Sequence, residues 1–241
     1  MTPKTLGRLA ALGLMALTLP ALADCEPSVV GEVSTVVCKA WPAFADMNIV
    51  ATTTFRPADA HSGNDVGDYD LYLTVTDGAR TRSLAAYIQD RAYPADSIAF
   101  RNLTIDTARY NLSPGNRAFG LRAMAANESG NSPFRKTELT LYLKEGSVIR
   151  PVLQRLNVEL YRGETDTDCV GKGDSLQRTV ELANTRSHGY ADLIVKTRRT
   201  HTHDVRVGEA CEVRVDKPVE SLTTLRYDGK QYFIPKDLKG F

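Results

Sequence analysis

From Thr137 to Arg162 the chain alternates apolar and polar residues with a period of two. Leu139, Leu141 and Leu143 alternate with Thr140, Tyr142 and Lys144, and Leu156, Val158 and Leu160 alternate with Asn157, Glu159 and Tyr161. Such a pattern predicts two strands joined by a turn at Glu145-Gly146, with leucines on one face and polar side chains on the other. A half-buried antiparallel pair of this kind requires a second layer to cover its apolar face. Further strands are expected at Asn48–Phe55, Tyr69–Thr76, Ser97–Ile105 and Arg117–Ala125. Asp77-Gly78, Pro114-Gly115 and Asp228-Gly229 read as turns, and 126–133 as a loop. Arg82 to Ile88 fits either a strand or a short helical turn, and Asp106 to Tyr110 a one-turn helix. After residue 164, strands are expected at 175–183, 190–199, 210–215, 221–227 and 230–235. The fold class is therefore all-β, with antiparallel sheets of short hairpin-linked strands, arranged as a sandwich or a propeller-like array. Composition shifts at Gly163, where an acidic, glycine-rich stretch begins. It divides an N-terminal β domain (24–163) from a C-terminal β-meander domain (164–241), the two packing separately or as one unit.

The first 23 residues have a different pattern. Lys4 and Arg8 precede an apolar run from Leu9 to Leu19, and Ala21-Leu22-Ala23 resembles a cleavage site. This is the form of a secretory signal peptide, with the mature chain beginning after Ala23 in the periplasm or outside the cell. No other run approaches the length of a membrane span, so a soluble mature protein is expected. Cys25 leaves a lipoprotein alternative, which the acidic Asp24 before it disfavours. The full chain has 30 Lys and Arg against 29 Asp and Glu, and two of the basic residues fall in the leader. That balance argues against general nucleic-acid binding, which needs a basic excess. The four cysteines, Cys25, Cys38, Cys169 and Cys211, permit two disulfides in an exported protein. Of three pairings, Cys25–Cys38 with Cys169–Cys211 is preferred because each loop then closes within its own half. The absence of a C-x-x-C spacing excludes the usual redox and zinc-thiolate patterns.

Several residue groups are chemical candidates. His201 and His203 stand two apart, so a strand places both imidazoles on one face with Arg199 beside them. Such a pair holds a transition metal only if a third ligand arrives from elsewhere, and the neighbouring cations oppose one. Lys196, Arg198, Arg199, His201, His203 and Arg206 read instead as a contact patch for an anion or an acidic partner. Glu164, Asp166 and Asp168, and likewise Asp65, Asp68 and Asp70, are weak candidates for Ca²⁺ ligation and otherwise solvated acidic loops. Gly173-Asp174-Ser175-Leu176 spells the GDSL string of an esterase family. It comes late in an all-β chain, and no Asp lies three residues before any of the histidines, so a base for Ser175 is missing. Tyr69, Tyr72, Tyr142 and Tyr161 would serve carbohydrate binding if they formed an exposed row. Asn102, Asn111 and Asn127 head glycosylation strings that matter only in a eukaryotic secretory route.

His188-Gly189-Tyr190-Ala191-Asp192-Leu193-Ile194-Val195 resembles the end of the calcium loop in FG-GAP and VCBS-type repeat proteins, and Thr224–Pro235 resembles the last hairpin of periplasmic members of that group. The resemblance covers the last third of the chain and implies a propeller-like β-repeat. Asn184 to Ser187 stand where the ligand carboxylates belong, so the loop is degenerate and the turn geometry alone is implied.

The function expected from these residues is that of an exported, non-enzymatic β-protein that binds a protein or glycan partner in the periplasm or envelope, as an inhibitor or binding module. The alternatives are a secreted hydrolase and a carbohydrate-binding module. No cofactor is required by the sequence, Ca²⁺ being the one candidate.

Overall fold

The computed structural model describes residues 28–29, 34–59, 66–165 and 170–239. Its strands, in chain order, are β1 (Ser28–Val29), β2 (Ser34–Ala40), β3 (Met47–Pro57), β4 (Gly67–Asp77), β5 (Ser83–Ala95), β6 (Ala99–Ser113), β7 (Asn116–Ala126), β8 (Phe134–Glu145), β9 (Val148–Glu164), β10 (Lys172–Ser187), β11 (Tyr190–Val207), β12 (Ala210–Val215) and β13 (Val219–Leu225). One 3₁₀ turn follows at Lys236–Leu238. The all-β class is as the alternating pattern requires. The proposed leader, Cys25 and Cys169 lie outside the described residues.

Two antiparallel meanders make up the sheet. One runs β1 to β5. The other runs β6 to β11 and ends with β12 and β13 both paired to β11, at different positions along that long strand. A single parallel contact, Ala86 opposite Val148, joins β5 to β9, and the ladder does not close into a barrel. Short local connections explain the antiparallel order, since each hairpin requires only a few turn residues. Gly146-Ser147 links β8 to β9, one residue later than the turn placed at Glu145-Gly146, because Gly146 takes the positive φ of 61° that the tight turn requires. His188-Gly189 makes a two-residue turn of another type between β10 and β11, with both φ values positive.

Two apolar clusters hold the fold. The first packs Ile49, Leu71, Leu73 and Val75 of the first meander against Phe119, Leu121, Tyr142 and Ile149 of the second, with Trp41 among them. The second gathers Leu139, Leu141, Leu143, Val152, Leu153, Leu156 and Val158 with Leu193, Val195, Leu225, Tyr227, Tyr232, Ile234 and Leu238. Strand β8 lies between them: its leucines enter the second cluster while Tyr142 enters the first. The expectation of a sheet with one wet face fails here. Lys136, Thr137 and Glu138 are also buried, with Glu138 accepting from Arg155 Nη2 at 2.9 Å and Thr137 Oγ1 donating to Glu159 at 2.9 Å. The first meander covers the face that period-two reading assigned to solvent.

One open local reading is decided and two expectations change. Arg82 to Ile88 belongs to β5 from Ser83 onward, so the strand alternative holds. Asp106 to Tyr110 forms no helix but continues β6 through a register shift, where Asp106 takes hydrogen bonds from Ala108 N at 2.9 Å, Tyr110 Oη at 2.9 Å and Arg122 Nη2 at 2.8 Å. Residues 230–235 form no ladder. Tyr232 makes an isolated bridge to Tyr227, and this C-terminal segment lies across β9 and β11 through Tyr232 N to Val152 O (2.7 Å) and Tyr232 Oη to Ala191 O (2.6 Å). The second cluster thus draws on residues from both sides of Gly163.

Candidate functional site

Strands β9, β10 and β11 carry one row of side chains across a single face. Arg162 stands opposite Asp174 on β10, and Asp174 stands opposite His201 on β11. Beyond β12, Asp216 N donates to His201 O at 2.9 Å, which brings Asp216 to the far side of His201. Antiparallel pairing places directly opposed residues on the same face, so register aligns Arg162, Asp174 and His201, and the bond from Asp216 N adds the fourth. Arg162 Nε donates to Asp174 Oδ2 at 3.0 Å, and His201 Nδ1 lies 3.0 Å from Asp174 Oδ1. The hydrogen bond with His201, reinforced by Arg162, holds the Asp174 carboxyl below its usual range against the opposing effect of partial burial. His203, one step further along the same face, has Nδ1 3.7 Å from Asp216 Oδ1, and the two imidazoles stack with centroids 6.3 Å apart.

This row opens onto a cavity of about 550 Å³. Leu160, Leu176 and Val219 supply apolar wall, and Arg178, Arg199, Lys217, Lys236 and Lys239 supply positive charge. The C-terminal segment closes one side of it. Arg178 is the most buried of these cations at 5 % exposure. Its guanidinium donates to Thr197 Oγ1 (3.1 Å), Asn157 O (2.7 Å) and Asp237 O (3.0 Å), all uncharged acceptors. Burial, with Arg199 nearby, pulls its pKa down to about 10, so it stays charged at neutral pH. Asn157, 3 % exposed, also lines the cavity, and its Oδ1 has no hydrogen-bond partner.

The residues expected to form one contact patch divide between the two faces of β11. Arg199, His201 and His203 share the face of Asp174. Lys196 and Arg198 alternate with them and point to the other side, where they line a separate groove with Gln177, Thr179, Glu220 and Leu222. Lys196 pairs there with Glu181 at 2.7 Å. Arg206, opposite Cys211, lies further along on the same side as Lys196 and Arg198. Arg162, Arg178 and Lys217 were not singled out as site residues from the sequence. Their signal is non-local: Arg162 and Arg178 reach the cavity through strand register, and Lys217 through the connection between β12 and β13.

The other candidates are placed as follows. Ser175 borders the same cavity, but its Oγ donates to Thr200 O at 3.4 Å and alternation directs its side chain to the face opposite Asp174 and His201. Glu164 pairs with Lys172 at 2.9 Å, while Asp166 and Asp168 lie outside the described residues. Asp70 accepts from Arg56 and from Arg91 N, and Asp68 lies 3.8 Å from Arg91. Asp65 is outside the described residues. Tyr142 is buried and Tyr69 packs on Phe55 and Phe100, so the four tyrosines do not share one exposed platform. Asp192 is buried in β11 and accepts from Thr185 Oγ1 at 2.7 Å. Cys38 and Cys211 are not free thiols, and one member of each expected pair is outside the described residues. Among the described residues no helix is long and apolar enough to cross a membrane. Comparison with protein-family models, with curated proteins and with solved structures finds no match for this chain.

Proposed function

We propose that this is an exported, non-enzymatic binding protein that takes an acidic segment of a protein partner in the periplasm or envelope into the cavity between β9–β11 and the C-terminal segment. The observation that carries this reading is Arg178, a buried guanidinium with hydrogen bonds only to uncharged acceptors. The Asp237 carboxylate acts on this guanidinium only through space, and a buried positive charge with no hydrogen-bonded carboxylate costs free energy that a bound anion offsets. Arg199, Lys217, Lys236 and Lys239 add to the attraction, and Leu160, Leu176 and Val219 accept the apolar side chains of a mixed peptide. The orientation of Ser175 away from His201 supports a binding rather than an esterase role, and the scattered tyrosines favour a peptide over a stacked sugar. The remaining expectations stand as proposals with it: cleavage after Ala23, disulfides Cys25–Cys38 and Cys169–Cys211, and kinship with degenerate FG-GAP/VCBS-type repeats, which the His188-Gly189 turn supports.

The test is fluorescence anisotropy with a labelled oligoglutamate peptide, with oligolysine as the control of opposite sign. Oligoglutamate should bind, more weakly as salt rises. Arg178→Met and the exposed Arg199→Ala should each weaken binding about tenfold or more. Lys196→Ala and Arg198→Ala, on the other face, should not. Equal loss from both faces, or binding of an oligogalacturonate in place of oligoglutamate, would overturn the reading.

A further inference from the structure

The histidine pair has the third ligand that the sequence did not provide. One ligand atom from each of His201, His203 and Asp216 lies within 4.8 Å of the others, the one such group among the described residues. We propose that His201, His203 and Asp216 bind a divalent transition metal of the zinc class. This rests on the reading above in one respect only: His201 and Asp216 line the cationic cavity, so a metal there would offer an open coordination position to the same anionic group.

Four observations support the site. Two imidazoles and one carboxylate are a borderline-hard donor set that suits zinc and leaves room for a further ligand. His201 Nδ1 is engaged by Asp174 at 3.0 Å, leaving Nε2 as the nitrogen for the metal. A carboxylate behind a ligating histidine is the usual outer partner, fixing the tautomer and making the ring a better donor. Arg162 in turn holds Asp174 in place at 3.0 Å, so the orientation is built across three strands. Ligands around tetrahedral zinc lie ~3.3 Å apart, so the three side chains must draw closer to hold the ion. The side chains that must move are free to do so: His201 and His203 are each 43 % exposed and Asp216 53 %. Arg199, Lys217 and Arg214, opposite His203, oppose a cation from the same neighbourhood, and Asp174 and Asp216 offset them in part. The remaining positive excess favours an anion in the open coordination position of a single ion.

The experiment is zinc titration of the full mature chain against a chromophoric chelator, with Co²⁺ substitution read by visible absorption. One ion per chain is expected. His201→Ala, His203→Ala and Asp216→Asn should each lower zinc affinity at least about tenfold, and Asp174→Asn about 10- to 100-fold. His188→Ala, remote from the row, should leave affinity unchanged. The Co²⁺ form should show the intense bands of a four- or five-coordinate nitrogen and oxygen site, absent in His203→Ala. Should an alanine variant fail to fold, the milder His203→Gln gives the same answer. Absence of zinc binding by the wild type, or affinity unaffected by these substitutions, would overturn the proposal. Oligoglutamate binding measured in a chelator separates the two claims. Its persistence without metal leaves the anion reading standing, and its loss in Arg178→Met with zinc affinity intact leaves the metal site standing.

Discussion

Asp174 and His201, 27 residues apart in sequence, face each other across β10 and β11 with Oδ1 and Nδ1 at 3.0 Å. The contact follows from one register: Gly173 opposite Thr202, Ser175 opposite Thr200. A shift of one residue would turn Asp174 to the other face and bring the Ser175 side chain onto the face of His201. Every functional statement about this face therefore depends on the pairing of those two strands.

That pairing has a consequence under acid. The Asp174 carboxyl lies below its ordinary value of 3.8. A depressed carboxylate contributes stability fully above its unfolded pKa, and loses it as pH falls through the folded value. Asp106 behaves alike. Burial raises its pKa, but the hydrogen bonds from Ala108, Arg122 and Tyr110 outweigh that and bring it below 3.8. Melting temperature should fall as pH drops from about 4 to 2, with a smaller fall in Asp106→Asn and Asp174→Asn. Asp106→Asn should also lower stability at neutral pH by about 1–3 kcal/mol, measured by urea unfolding.

The leucines of β8 are fully enclosed. Leu139 and Leu141 are both 0 % exposed in the second cluster. Leu141→Ala should cost about 2–5 kcal/mol in chemical denaturation, as the lost contacts and the residual cavity add. The same substitution at Leu222, 70 % exposed on β13, should change stability by under about 0.5 kcal/mol.

Gly67 marks the start of β4, where a Cβ would run into the carbonyl of Arg56 and the ring of Phe55. The nearest obstacle is backbone, which cannot swing aside as a side-chain end can. Gly67→Ala should destabilise by about 1–3 kcal/mol and loosen the β3–β4 end, visible as faster amide exchange at Phe55 and Tyr69.

The chain's single tryptophan, Trp41, is 1 % exposed and packs edge-on to Phe44 and Phe119, so its emission reports the first cluster alone. Far-ultraviolet dichroism reports the whole sheet. Because β8 contributes side chains to both clusters, the two signals should trace one coincident transition in urea. Separate midpoints would mean that the halves fold independently.

Period-two alternation, turn dipeptides and β-branched residues were enough to read an all-β chain. Asp77-Gly78, Pro114-Gly115 and Asp228-Gly229 all mark turns in the structure, because backbone conformation at such positions is decided within a few residues. The alternation of Arg199, His201 and His203 was legible for the same reason. What it could not show is what lies across from them. Asp174 and Asp216 reach His201 from different strands, and Arg178 becomes buried only when Asn157 O, Thr197 and Asp237 O close around it. Likewise Tyr142 belongs to a polar face in the one-dimensional pattern and to a core once the first meander covers β8. Side-chain facing is a property of one strand. Partners, burial and the charge of a cavity are properties of strand register and layer packing, which bring distant residues together and are settled by the tertiary structure.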